Sequence, residues 1–181
     1  MTIYHYNEDY ILKANELISD YRYLKAKRVL EQLLEIDPDH GQAHNILGWI
    51  FHYPIEDYER ASYHYQLSMQ FAPRYPYSYR NYIYLLNELG RYYDAICMVK
   101  KSLSVMGIEK DIIYQQLGEA MEHLERYKEA IDAYKHGIRF STCVDRISQL
   151  EQGIQRIRKK TRYLVSRPSI VTYWCTEFQS I

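Results

Sequence analysis

Four tyrosines stand three residues ahead of four alanines, Tyr23/Ala26, Tyr58/Ala61, Tyr92/Ala95 and Tyr127/Ala130, and successive alanines are 35, 34 and 35 residues apart. A step that regular makes the chain a repeat array, because a unit of about 34 residues cannot bury its own apolar face and must stack on its neighbour. Behind each tyrosine the apolar residues recur at steps of three and four: Ala26, Val29, Leu30 and Leu33; Ala61 and Tyr65; Ala95, Ile96, Val99 and Leu103; Ala130, Ile131, Tyr134 and Ile138. That spacing places one stripe along one face of a helix. The alanines, with Ser68, Ser102 and Gly137, are small enough for helix axes to come close together.

An earlier helix in each unit carries a second signal: His44-x-x-Leu47-Gly48 and Tyr114-x-x-Leu117-Gly118, with Tyr10 and Tyr79 at the same aromatic position. Pro38 and Pro73 each follow their alanine by 12 residues, where a residue unable to continue a helix ends one unit. In period, tyrosine–alanine pairing, aromatic-x-x-Leu-Gly and proline, residues 7–144 resemble the tetratricopeptide repeat (TPR), a helix–turn–helix unit. The resemblance implies an all-α fold, a right-handed superhelical solenoid of about four TPR units at about 7–40, 41–75, 76–110 and 111–144. Ile147, Leu150, Ile154 and Ile157 then predict a capping helix over 145–163, nine helices in all.

The third unit departs from the pattern. Gly107 replaces its proline and Tyr82-Ile83 its Leu-Gly, while Lys13-Ala14 replaces Leu-Gly in the first. A bulky Ile83 where glycine usually sits predicts that the third unit's helices are held apart or tilted. Beyond the cap, Pro168 and the run Ile170, Val171, Tyr173, Trp174 and Phe178 predict an extended tail over 164–181. So much apolar surface is expected to dock, on its own array or on a second chain.

Charge and motif content narrow the function. Lys plus Arg and Asp plus Glu number 23 each, so no overall field draws nucleic acid or an anionic membrane. Residues 141–181 hold seven basic and three acidic residues, leaving 16 and 20 for the rest, so tail and array carry opposite charge. The basic run Arg156, Arg158, Lys159, Lys160 and Arg162 suits a helix C-terminus, and no aromatic residues interleave with it to stack bases. Cys97, Cys143 and Cys175 are odd in number and far apart, which reads as buried thiols in a reducing compartment. The N-terminus has no basic start before an apolar run and no stretch is long enough to span a bilayer, so a cytoplasmic protein is expected. His40-x-x-x-His44 has metal-edge spacing, but His40 precedes the helix and His44 fills the aromatic packing position, so neither metal nor cofactor is expected. With no phosphate loop, nucleophile elbow or His-Glu-x-x-His, the chain reads as non-enzymatic.

The resemblance also implies that the first helices line a concave face that meets a protein partner. The face opposite their packing stripe yields the candidate groove residues Asn15, Gln42, Asn45, Trp49, His52, Tyr77, Arg80, Tyr84, Asn87, Gln115 and Glu119, with Glu8, Ile11, Ile18, Ile112 and Glu122 completing the stripes. Trp, Tyr and Arg are frequent hot-spot residues, and Asn and Gln pair with peptide amides. Of 21 tyrosines, nine fall at repeat packing positions. Some members of the family clamp a C-terminal carboxylate with two lysines, an arginine and two asparagines. Asn15 matches one asparagine, whereas Ile11, Ile46, Tyr77 and Asn81 stand at the other positions, so the clamp is missing. The expected function is a protein–protein interaction adaptor; the alternatives are a self-assembling structural protein with its tail in the groove, and a chaperone for an unfolded client.

Overall fold

The computed structural model describes residues 3–166, so the expected tail lies outside the described residues from position 167 onward. Within them the chain forms nine helices and no strand: α1 (Ile3–Ser19), α2 (Tyr23–Ile36), α3 (Gly41–His52), α4 (Tyr58–Phe71), α5 (Pro76–Glu88), α6 (Tyr92–Ser102), α7 (Lys110–His123), α8 (Tyr127–Phe140) and α9 (Val144–Ser166). Each of the four tyrosines opens an even-numbered helix. Two residues before it the backbone turns left-handed, at Tyr21, Glu56, Gly90 and Glu125, with φ of 59°, 59°, 71° and 58°. Next along the chain, the N–H of Arg22, Asp57, Arg91 and Arg126 reaches back to Leu17, Phe51, Leu86 and Met121, at 2.8–2.9 Å. Those bonds satisfy the last carbonyls of each first helix. α2 stops at Ile36, just before Asp37-Pro38, and α5 begins with Pro76, the helix position that lacks an N–H partner anyway.

Successive helices pack in chain order, and the odd-numbered helices also meet each other, α3 on α5, α5 on α7 and α7 on α9. The even-numbered helices make no comparable contact among themselves. The odd layer is therefore the shorter side of the array, and the stack curves toward it.

What lets the layers close is a matched pair of side chains in each unit. A Cβ on Gly48 would lie 2.6 Å from the Tyr65 ring, and one on Gly118 would lie 2.4 Å from the Tyr134 ring. Both rings are buried. At the same register the third unit pairs Ile83 with Val99, which pack in one cluster, and the first pairs Ala14 with Leu30. The larger first-helix residue thus stands at the register of a smaller second-helix one, and α5 and α6 are in sparser contact than the glycine-bearing pairs α3/α4 and α7/α8, in keeping with the wider spacing expected of Ile83. Tyr23, Tyr58, Tyr92 and Tyr127 are only half-buried, so the repeated tyrosines mark helix starts more than core centres. Cys97 and Cys143 correct the sequence reading outright: both thiols are exposed, on the outward sides of α6 and of the α8–α9 turn, while Cys175 lies outside the described residues.

The cap closes the stack through Leu150, Ile154 and Ile157, which pack with Met121 and Tyr134. One carboxylate secures it. Glu122 of α7 accepts from Arg156 Nη2 at 2.7 Å and from Lys160 Nζ at 2.6 Å.

Candidate groove on the concave face

The odd-numbered helices bring the candidate residues into two clefts. The first, of about 230 Å³, is lined by Asn15 and Ile18 from α1, Asn45, Ile46 and Trp49 from α3, and Tyr75, Tyr77, Arg80 and Asn81 from α5 and its N-cap. Trp49 is half-buried between Tyr23 and Tyr53, with ring centroids 6.0 and 5.6 Å away. Arg80 lies over the Tyr77 ring at 4.8 Å and pairs with Glu109, so it is held in place before any partner arrives. Asn81 Nδ2 donates to Asn45 Oδ1 at 3.1 Å. That bond leaves Asn45 with a donor and Asn81 with an acceptor, the two complements of a peptide amide. Burial, and then neighbouring Tyr77, push the Tyr75 hydroxyl up, so this wall stays neutral.

A second cleft, of about 380 Å³, is lined by Tyr84, Asn87, Glu88, Gln115, Gln116, Glu119 and His123. Here amides converge on one carboxylate. Gln115 Nε2 donates to Glu119 Oε1 at 3.0 Å and Gln116 Nε2 to Oε2 at 2.8 Å, while Arg146 donates to Gln115 Oε1 at 3.1 Å. Asn87 Nδ2 donates to both the carbonyl and the side-chain oxygen of Gln116, each at 3.0 Å.

Six of the stripe residues belong elsewhere. His52 is buried: its Nε2 donates to Glu88 at 2.9 Å and its Nδ1 accepts from Tyr65 at 3.3 Å, because α5 packs over that edge of α3. Ile11 and Ile112 are core residues, and Glu122 is buried beneath α9. Gln42 lines neither cleft, and Glu8 lies exposed outside both. Ile46, Tyr75, Asn81, Glu88, Gln116 and His123 were missed by the sequence stripes; all but Tyr75, the N-cap of α5, are next in sequence to a stripe residue.

The histidine pair has a structural task. His40 Nδ1 accepts from the Ala43 N–H as an N-cap. His44 Nε2 must donate to the Pro38 carbonyl (2.9 Å), so its Nδ1 accepts from His64 Nδ1 (3.0 Å), which ties α3 to α4. Burial, and then His44, hold His64 down at about 4. No group of three or more His, Cys, Asp and Glu able to hold a metal occurs among the described residues.

Comparison with solved structures recovers the same architecture. PilF of Pseudomonas aeruginosa superposes with a TM-score of 0.76 at 20% identity, covering 88% of this chain and 70% of that one. PilW, a type IV pilus biogenesis factor, gives 0.70 at 15% identity, covering 90% and 79%. The TPR domain of Arabidopsis OM64 gives 0.58 at 20% identity, covering 66% and 94%. No protein-family profile matches the sequence, and no curated protein does. The chain has the TPR fold, an all-α solenoid of paired helices. Among the described residues no helix is long and apolar enough to cross a membrane.

Proposed function

We propose that the chain is a non-enzymatic adaptor that takes a peptide or protein surface, rather than nucleic acid, in its concave groove. The observation that carries this reading is the Trp49 cleft, where three aromatic rings, a fixed arginine and a half-satisfied asparagine pair share one concavity. At about 230 Å³ it suits a single anchoring side chain, below the usual size of a cofactor site. The likeness to PilW, a type IV pilus biogenesis factor by name, is in keeping with partner binding. The exposed free thiols Cys97 and Cys143 suit a reducing, cytoplasmic setting.

Peptides selected by display against the full chain provide the test. Trp49→Ala should weaken the selected peptides by roughly 30-fold, about 2 kcal/mol, as loss of a central aromatic anchor does, with the helical circular-dichroism signal retained. Selected peptides that bind Trp49→Ala as well as the parent would overturn the assignment.

Self-association through residues 167–181 is a second mode for the same groove, favoured by the apolar run Ile170, Val171, Tyr173, Trp174 and Phe178. In that mode a second copy of the chain supplies the peptide.

A further inference from the structure

We propose that the second cleft takes an arginine side chain presented by the partner; this rests on the groove reading above and names the chemistry of its other half. Hydrogen-bond acceptors dominate the space. Glu119 is charged, yet its two oxygens are bound by neutral carboxamides, which hold the group in place without cancelling its charge. Glu88 adds a second carboxylate to the lining, and no lysine or arginine lines the cleft. Three cations stand at its edges and each is engaged within the chain: Arg146 donates to Gln115 Oε1 and pairs with Asp111, and Arg156 and Lys160, which share the adjoining cleft with Glu119, are both bonded to Glu122.

A second observation is independent of charge. Both bonds made by Asn87 Nδ2 go to Gln116, and that fixes which way the amide faces. Its Oδ1 is consequently buried and has no hydrogen-bond partner among the described residues. An acceptor fixed and buried in this way is costly until a donor reaches it. The aromatic wall is Tyr84, half-buried, whose hydroxyl burial pushes up, so the ring stays neutral.

Guanidinium fits this combination better than ammonium. It is planar, carries five donors and no acceptor, and stacks on aromatic faces while bonding a carboxylate in its own plane. This protein already uses that stacking twice, Arg80 over Tyr77 and Arg60 over Phe51, both at 4.8 Å. The groove would then read two features of one partner, an anchor side chain at Trp49 and an arginine at Glu119.

The test titrates isotope-labelled full chain with N-acetyl-arginine amide, and in parallel with its neutral isostere N-acetyl-citrulline amide. Arginine amide should give saturable shifts in the side-chain amides of Asn87, Gln115 and Gln116, with citrulline amide at least about 10-fold weaker. Glu119→Gln should remove most of that difference, and Tyr84→Leu should weaken arginine amide several-fold even if Glu119→Gln loosens the fold. Equal binding of the two amides, or arginine affinity unchanged in both variants, would overturn the proposal. Shifts confined to the Trp49 indole would overturn it too. Because no selected peptide is involved, this outcome and that of the Trp49→Ala test are separable.

Discussion

Replacing Gly118 by Ala should destabilise the protein, although alanine is the better helix former. The added methyl would sit 2.4, 2.5 and 2.8 Å from three carbons of the Tyr134 ring, well inside contact distance. Nor can the ring retreat. On its other edge Gly153 lies so close that a Cβ there would be 2.8 Å away, and the hydroxyl is tied to Glu122 at 3.3 Å. Overpacking of a closed core costs about 3 kcal/mol, and the gain in helix propensity returns about 1. The net loss is about 2 kcal/mol, or roughly 4–8 °C in Tm for a chain of this size. Urea unfolding of four proteins would measure it: parent, Gly118→Ala, Tyr134→Leu and the double variant. The double variant recreates the Ala14/Leu30 pair of the first unit, so it should be more stable than the sum of the single losses by about 2 kcal/mol. A neutral or stabilised Gly118→Ala, or strict additivity, would refute the idea that paired sizes set the spacing of the layers.

Two further perturbations address the C-terminal end of the array. Burial alone would raise the Glu122 carboxyl, but hydrogen bonds and charge from Arg156 and Lys160 outweigh it and hold the group at about 2 against an ordinary 4.5. Such a shift corresponds to about 3 kcal/mol; because both cations are about half exposed, Glu122→Gln should cost about 1–2 kcal/mol near neutral pH. The folded-state value is depressed, so this contribution is complete above pH 4.5 and is lost as pH falls toward 2. Parent and variant should therefore converge in urea melts over that window, and a constant gap would contradict the pairing. Deleting residues 167–181, which leaves α9 intact, should lower the mass seen by light scattering or strengthen binding of a selected peptide. If both stay unchanged, the tail does not occupy the groove.

The repeat was legible because it is written in local residues. Tyrosine, alanine and the prolines act on the turn and on the helix pair beside them, so their spacing survives translation into structure unchanged. Even so, the thiols were misplaced. Cys97 stands between buried Ile96 and half-buried Met98, yet one helical step of about 100° is enough to turn it outward. Likewise, Ile83 could be seen as an exception but its answer, Val99, lies 16 residues on and acquires meaning only once α5 and α6 are side by side.

The groove was less legible for a reason that repeats itself. His52, Asn87 and Glu122 each end a predicted stripe, and they are 35 residues apart. In the structure each reaches to the following segment of the odd layer: His52 to Glu88 at 2.9 Å, Asn87 to Gln116 at 3.0 Å, and Glu122 to Arg156 at 2.7 Å. One register of the repeat thus serves as a polar strut between successive first helices, with different chemistry in each gap. A stripe drawn at steps of three and four runs straight, whereas neighbouring first helices converge on the concave side, so its last residue is captured by the next helix. Polar residues recurring at the repeat period were therefore a sign of contact within the array. Of the candidate groove residues, Trp49 and Tyr84 share a register that Glu119 fills one unit on, and Tyr77 shares one with Gln42 and Ile112. Along the groove each register thus changes in kind, which is the pattern expected where a partner and not the stack sets the side chain.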